Sequence, residues 1–225
     1  MMTKTPTVEN KKRILIVEDH PLFRAVLVQL ISQELGMVVC GEADNIKDAQ
    51  AIIERTHPDA AIVDLTLRGS CGLELLKDLK ARHLELPVLV LSMHPESLYA
   101  ERVLRAGAKG YITKEEPPAE VVVAIRTVLA GRIYLSQRVN QAIIERLAHA
   151  NNPVQLQGMD LLSDREIEVF QLVGHGLNSR EIAGRLNLGP TTVDSYRARI
   201  KDKLGIKNAA ALYQRAAQWI AEGER

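Results

Sequence analysis

Thiols, bulky aromatics and long apolar runs are all scarce in this chain. Across 225 residues there are two cysteines, one tryptophan and two phenylalanines. Cys40 and Cys71 lie in different segments without metal-ligand spacing. A disulfide framework and a cysteine-held zinc are thereby set aside, and free thiols in a reducing compartment are expected. No apolar stretch reaches the length that crosses a bilayer, and the polar segment Met1 to Lys12 has no apolar signal core. The chain is therefore expected to be cytoplasmic and away from membranes. An excess of one charge is missing too, the net charge being +1. Overall attraction to polyanions is excluded, and any nucleic-acid surface must be a local patch. What is present is 46% hydrophobic and 25% charged residues, the composition of a globular chain long enough for one large domain or two small ones.

From residue 13 to about 130, apolar runs alternate with amphipathic stretches, the pattern of βα units on a parallel sheet. Strands are predicted near 13–17, 37–41, 60–63, 87–91 and 109–112. Four or five apolar residues in a row, without polar alternation, need cover on both faces, so a three-layer α/β sandwich follows. Helices are predicted over Pro21–Leu35, with Leu22, Val26, Leu30 and Ile31 on its apolar side, and over Ile46–Arg55 with Asn45 as cap. Further helices are predicted over Gly72–Arg82, over Pro95–Ala106, and from Pro117-Pro118 to Gly131. Ser136–Ala150 is one helix-compatible stretch, and the proline- and glycine-punctuated segment Asn151 to Gly158 reads as a joint. Beyond it no strand pattern remains. Capping-box spacings at Ser163/Glu166 and Asn178/Glu181, Pro190 before a helix over Thr191–Leu204, and a last helix over Asn208–Glu222 predict a small all-α domain of four helices. The expected division is 12–131, a connecting segment with a helix over 132–158, and 159–225.

The ends of the predicted strands carry the chemistry. Glu18 and Asp19 follow the run Ile14 to Val17, and Asp64 follows Ala60 to Val63. Ser92 follows Val88 to Leu91, and Lys114 follows Gly110 to Thr113. Parallel strands would bring all five to one sheet edge, where open α/β sheets place their ligands. Carboxylates that close repel one another, and a divalent cation relieves the repulsion. A carboxylate can also attack a phosphoryl group to give an aspartyl phosphate. Mg²⁺, a fixed cation and a hydroxyl would then share the phosphoryl oxygens. Glu18 and Asp19 suit the metal, Asp64 the nucleophile, Lys114 the cation and Ser92 the hydroxyl. His94 is either a regulator of water access to an acyl phosphate or an exposed loop histidine, and His20 reads as a surface turn.

In the helical half, Arg197, Arg199, Lys201, Lys203 and Lys207 stand against the one acid Asp202 between Ser195 and Lys207. That is the local patch a neutral total demands of a DNA binder. Ile182, Ala183 and Leu186 are expected to pack one helix on Val193, Ile200 and Leu204 of the next. The second helix of such a pair enters the major groove by its N-terminal part. Asp194, Ser195 and Arg199 are candidates for base edges; Thr191, Thr192, Tyr196, Arg197 and Lys203 are candidates for phosphates. Asp194 could accept from cytosine N4, or it could be a first-turn charge that stabilises the helix dipole.

These residues together resemble a known family. The acid pair Glu18-Asp19, Asp64 in Val63-Asp64-Leu65, Ser92 in Leu91-Ser92-Met93-His94 and Lys114 after Gly110-Tyr111-Ile112-Thr113 are similar to the receiver domain of two-component response regulators. The succession from Leu162-Ser163-Asp164-Arg165-Glu166 through Gly176-Leu177-Asn178, Glu181-Ile182-Ala183, Thr191-Thr192-Val193 and Lys203-Leu204-Gly205 resembles the LuxR-type helix-turn-helix output of the regulators named after nitrate and nitrogen fixation. The resemblance implies a flavodoxin-like, doubly wound, five-stranded parallel sheet followed by a four-helix DNA-binding domain. It implies phosphorylation of Asp64 by a sensor histidine kinase, with Mg²⁺ held by Glu18, Asp19, Asp64 and the Thr66 carbonyl. Tyr111 matches the aromatic switch that turns inward as the hydroxyl shifts. Double-stranded DNA, the cognate kinase, a second copy of the chain on phosphorylation and RNA polymerase are the implied partners. Glu18 stands where aspartate is also common, and Arg68 stands where proline often precedes Gly69, which touches only the shape of the loop after Asp64.

Two other readings accompany this one. A phosphatase with an aspartyl-phosphate intermediate generally carries a second aspartate two positions after the nucleophile, and here that position is Thr66. A regulator working without phosphorylation is the other, against which the complete acidic site argues. Dimerisation could use the first and fifth helices or the fourth, and Trp219 could support a dimer contact or close its own domain's core.

Overall fold

A computed structural model of the chain describes residues 11–67, 70–82, 84–149, 158–186 and 188–223. The N-terminal segment 1–10, Arg68 with Gly69, and the joint residues 151–157 lie outside the described residues. Two compact units divide between Ala142 and Ile143.

The first unit is built on strands β1 (Lys12–Val17), β2 (Met37–Ala43), β3 (Ala60–Val63), β6 (Val88–Ser92) and β7 (Gly110–Thr113). Between β3 and β6, the two-residue strands β4 (Thr66–Leu67) and β5 (Ser70–Cys71) pair antiparallel, a feature too short for periodicity to reveal. The five long strands form one parallel sheet in the order β2-β1-β3-β6-β7. Helices α1 (Pro21–Gln33), α2 (Ile46–Thr56), α3 (Gly72–Ala81), α4 (Glu96–Ala106) and α5 (Pro118–Leu129) alternate with them, so the expected fold class is found. The strands' apolar residues alternate between two buried layers. Ile14, Ile16, Ile62, Leu89, Leu91 and Ile112 form one core with Leu27 and Ile31 of α1 and Ala124, Ile125 and Val128 of α5. Leu15, Val17, Ala61, Val63 and Val90 are equally buried and point the other way.

Helix α1 departs from the sequence reading. It ends at Gln33, before Gly36 at φ +89°, and its buried stripe is Leu27 and Ile31 with Phe23 packed against the same core. Leu22 and Val26 are 75% and 50% exposed. A spacing of four residues joins Phe23, Leu27 and Ile31 into one row; Leu22 and Val26 lie about 100° away from it, a difference an apolar count along the helix cannot resolve. After α5 the chain returns along β7, where the Tyr111 N–H donates to the Tyr134 carbonyl at 3.0 Å and the Tyr134 N–H to the Lys109 carbonyl at 2.9 Å. Helix α6 (Gln137–His149) follows.

The second unit contains a 3₁₀ turn (Gly158–Leu161) and helices α7 (Asp164–Gly174), α8 (Ser179–Leu186), α9 (Pro190–Leu204) and α10 (Ala209–Gly223). Ser163 caps α7 by accepting from the Glu166 N–H, and the Glu166 carboxylate accepts from the Ser163 N–H at 2.7 Å. Asn178 caps α8 in the same manner with Glu181. Ile182, Ala183, Leu186, Val193 and Ile200 are buried where α8 meets α9, while Leu204 is half-buried. The rings of Trp219 and Phe170 lie 5.6 Å apart, so Trp219 packs on its own unit's core.

Candidate phosphoryl site and nucleic-acid interface

Register brings the acids together. Val17 is aligned with Val63 in the β1–β3 pair, and Val63 with Val90 in the β3–β6 pair. Glu18 and Asp64 therefore leave adjacent strands at the same level, and the Asp64 N–H donates to the Val17 carbonyl at 2.9 Å. Ser92 is aligned with Thr113, and the Lys114 N–H donates to the Ser92 carbonyl at 2.9 Å. Glu18, Asp64 and Ser92 are buried, and Asp19 is half-buried.

One oxygen from each of Glu18, Asp19 and Asp64 lies within 4.8 Å of the others, a spacing and donor set that fit a hard divalent cation. The Lys114 ammonium lies 2.7 Å from Glu18 Oε2 and 2.7 Å from Asp64 Oδ2. Burial pushes the Asp64 carboxyl up, to about 6, and the Glu18 charge adds to this, against the opposing pull of Lys114 and the Thr66 N–H. For Lys114, burial alone would lower the ammonium's pKa, but Asp64 and Glu18 more than reverse it and hold the group above its ordinary value. Chemically this is an acidic edge with one fixed cation, able to balance negative charge arriving at Asp64.

Tyr111 is fully buried, and its hydroxyl donates to the His94 carbonyl at 2.7 Å. Burial raises the phenol's pKa well beyond its usual value. His94 stacks on Tyr99 at 4.7 Å, its Nε2 is 3.2 Å from the Thr66 hydroxyl, and its N–H donates to Ser92 Oγ at 3.3 Å. His94 is thus tied to the site's rim. His20 is exposed, and its Nδ1 caps α1 by accepting from the Phe23 N–H at 3.3 Å. Cys40 is half-buried and Cys71 buried, and neither forms a disulfide.

Two positioning residues escaped the sequence reading. Phe23 holds its ring 4.6 Å from the Lys114 ammonium, within cation–π range. No spacing marks an aromatic four residues past an acid pair for that task. Gly72, at the start of α3, comes so close to the loop after β3 that a Cβ there would sit 2.1 Å from the Asp64 carbonyl oxygen. A glycine at a strand-to-helix junction near an acid is the signal that could have found it.

In the second unit, Thr191, Thr192, Asp194, Ser195 and Arg199 are exposed on α9, while Tyr196 and Arg197 are half-buried. The Arg199 guanidinium lies 5.8 Å from the Tyr196 ring. Lys203, Asp194 and Arg197, all DNA candidates, already have partners on other helices. Lys203 donates to Glu166 Oε2 at 2.7 Å, and Asp194 accepts from the Ser179 hydroxyl at 2.6 Å. Burial would raise the Glu166 carboxyl, but bonds from Lys203 and Ser163 outweigh it and hold it below the ordinary carboxylate value. Arg165 bonds Glu168 at 2.5 Å and the Leu186 carbonyl at 3.2 Å, which ties α7 to the end of α8.

The family model described as the response regulator receiver domain matches residues 14–126, and that described as bacterial regulatory proteins of the luxR family matches residues 160–216. The chain belongs to the response regulators with a LuxR-type output domain. Response regulator GacA of Pseudomonas viridiflava is 34% identical to it over 200 residues, 89% of this chain and 92% of that protein. Response regulator UvrY of Escherichia coli K12 is 32% identical over 193 residues, 86% of this chain and 88% of that protein. The crystal structure of a LuxR-family two-component response regulator from Aurantimonas sp. SI85-9A1 superposes with a TM-score of 0.57 at 36% identity, covering 61% of this chain and 99% of that one. Response regulators of this family are transcription regulators, which sets aside the phosphatase considered for the acidic edge. Among the described residues no helix is long and apolar enough to cross a membrane.

Proposed function

We propose that this response regulator is phosphorylated on Asp64 by a sensor histidine kinase in the cytoplasm, and that phosphorylation controls dimerisation and sequence-specific binding to double-stranded DNA. The observation that supports it most is the Lys114 ammonium held at 2.7 Å from both Glu18 and Asp64, beside the buried Ser92. An Asp64 carboxylate oxygen forms the new P–O bond as the P–N bond of a phosphohistidine donor breaks, and the imidazole leaves with the electron pair. Glu18, Asp19, Asp64 and the Thr66 carbonyl would hold Mg²⁺, which when bound neutralises charge on the phosphoryl oxygens. Lys114 then exchanges its carboxylate contact for a phosphoryl oxygen, and the Ser92 hydroxyl meets another. Any shift of Ser92 acts on His94, whose N–H it accepts, and through the His94 carbonyl on the Tyr111 hydroxyl. This is the proposed route from phosphate to switch.

Thr191, Thr192, Asp194, Ser195, Tyr196, Arg197, Arg199 and Lys203 remain the candidate DNA surface on α9, with RNA polymerase as a further partner. We take the receiver as 12–131, the connecting segment as 132–158 and the output domain as 159–225. Placement among the nitrate and nitrogen-fixation regulators rests on the resemblance in the output sequence, since the relatives named above carry other names.

Treatment with acetyl phosphate and Mg²⁺, followed by mass spectrometry, should find a phosphoryl adduct on Asp64 and none in Asp64→Asn. DNA selection from a random pool should then recover a defined sequence, more strongly after phosphorylation. An unmodified Asp64 under donor excess would overturn the first half of this reading, and recovery of no DNA the second.

A further inference from the structure

Ser179, the first residue of α8, touches two side chains of α9. Its hydroxyl donates to Asp194 Oδ1 at 2.6 Å and accepts from Arg197 Nη1 at 3.1 Å. A serine hydroxyl has one proton to give and two lone pairs to receive, so both bonds form at once. Asp194 and Arg197 are three residues apart, neighbours on one helix face, and Ser179 bridges them from the adjacent helix. The result is a chain of alternating partners: carboxylate, hydroxyl, guanidinium.

We propose that Ser179 is a positioning residue of the DNA interface, through which Asp194 aims the Arg197 guanidinium at a backbone phosphate. The inference rests on the DNA-binding reading above. It gives Asp194 a supporting role, with one carboxylate oxygen accepting from Ser179 at 2.6 Å. Asp194 also balances the charge of Arg197 before DNA arrives. An arginine has five N–H donors, and the bond to Ser179 uses one. The remaining donors suffice for two parallel bonds to phosphate oxygens. Ordering the long side chain in advance removes part of the entropic cost of making that contact on binding. Ser179 would therefore govern affinity and its dependence on salt, without governing which bases are chosen.

The test uses the full-length protein with Mg²⁺ and beryllofluoride as the phosphoryl stand-in, and a duplex recovered from a random pool. Binding is titrated over a tenfold range of salt for wild type, Ser179→Ala, Ser179→Thr, Asp194→Asn and Asp194→Ala. Loss of one phosphate contact makes the slope of log affinity against log salt shallower by about 0.9, so the deficit of Ser179→Ala should shrink about eightfold from the lowest to the highest salt. Asp194→Ala, compared with Asp194→Asn so that the lost charge is common to both, should show the same difference in slope. Ser179→Thr keeps the hydroxyl, so it should retain the wild-type slope and base preference, and Asp194→Asn, which keeps an acceptor oxygen but removes a charge, should retain the base preference. A Ser179→Ala protein with an unchanged slope, whether or not its affinity falls, would show the bond to be only structural and overturn the inference. A changed preferred base in Asp194→Asn would make Asp194 a base reader and overturn it too. Wild type that recovers no DNA would remove the DNA-binding reading, and this inference with it.

Discussion

Asp64 combines two demands that conflict, since a nucleophile must be ionised and a buried carboxylate resists ionisation. Burial and the Glu18 charge place its pKa at about 6 in the folded chain, against 3.8 for the ordinary group. A folded value above the unfolded one means the folded state binds protons more tightly, so stability falls as pH rises from 3.8 through about 6 and levels off beyond. Asp64→Asn should therefore stabilise the metal-free protein near neutral pH by on the order of 2 kcal/mol, with the gain vanishing in acid. Denaturant melts of the two proteins across that range check it; a constant difference would contradict the burial argument. Gly72 acts at the same scale. Gly72→Ala would drive a Cβ to 2.1 Å from the Asp64 carbonyl oxygen, so backbone must move. A loss of about 3 kcal/mol in unfolding free energy is expected, together with slower phosphorylation of Asp64.

Among the elements, α7 carries more than its own cap. Glu166 closes the capping box with Ser163 and also accepts from Lys203 at 2.7 Å, which joins the first turn of α7 to the last turn of α9. Its depressed pKa means that this stability is present above the unfolded carboxylate value and is lost as pH falls through the lower folded value. Glu166→Gln keeps a cap acceptor and loses the ion pair. Thermal melts should show it less stable than wild type near neutrality, with the two converging in acid. Ser163→Ala should cost about 1 kcal/mol near neutral pH and less in acid, because the Ser163 hydroxyl also helps hold the Glu166 carboxyl down. Helix α1 shows how element-level reading goes astray: Leu22 and Val26 look like core and lie exposed, while Phe23 in the core row also supports Lys114.

At the scale of the whole molecule, Mg²⁺ should stabilise only the unit that holds Glu18, Asp19 and Asp64. A cation binding the folded state alone adds about 2.7 kcal/mol at a hundred times its dissociation constant. Calorimetry should show an Mg²⁺-dependent rise in the receiver's transition, and the rise should disappear in Asp64→Asn and in Glu18→Gln. A rise that survives both substitutions would place the cation elsewhere. Net charge bears on the other unit: with a total of +1, DNA affinity must come from the local basic surface and decline steeply with salt.

The sequence alone determined the alternation of five strands and five helices, the caps of α7 and α8, and the five residues at the sheet edge, because apolar periodicity and capping chemistry are local properties of the chain. It also supplied the basic run on α9. Tertiary structure alone decided which side of α1 is buried, that Phe23 faces Lys114, that Lys203 is bonded to Glu166, and that Ser179 joins Asp194 to Arg197. Those are contacts between residues brought together by packing, and their geometry depends on rotations and approaches that no spacing along the chain encodes.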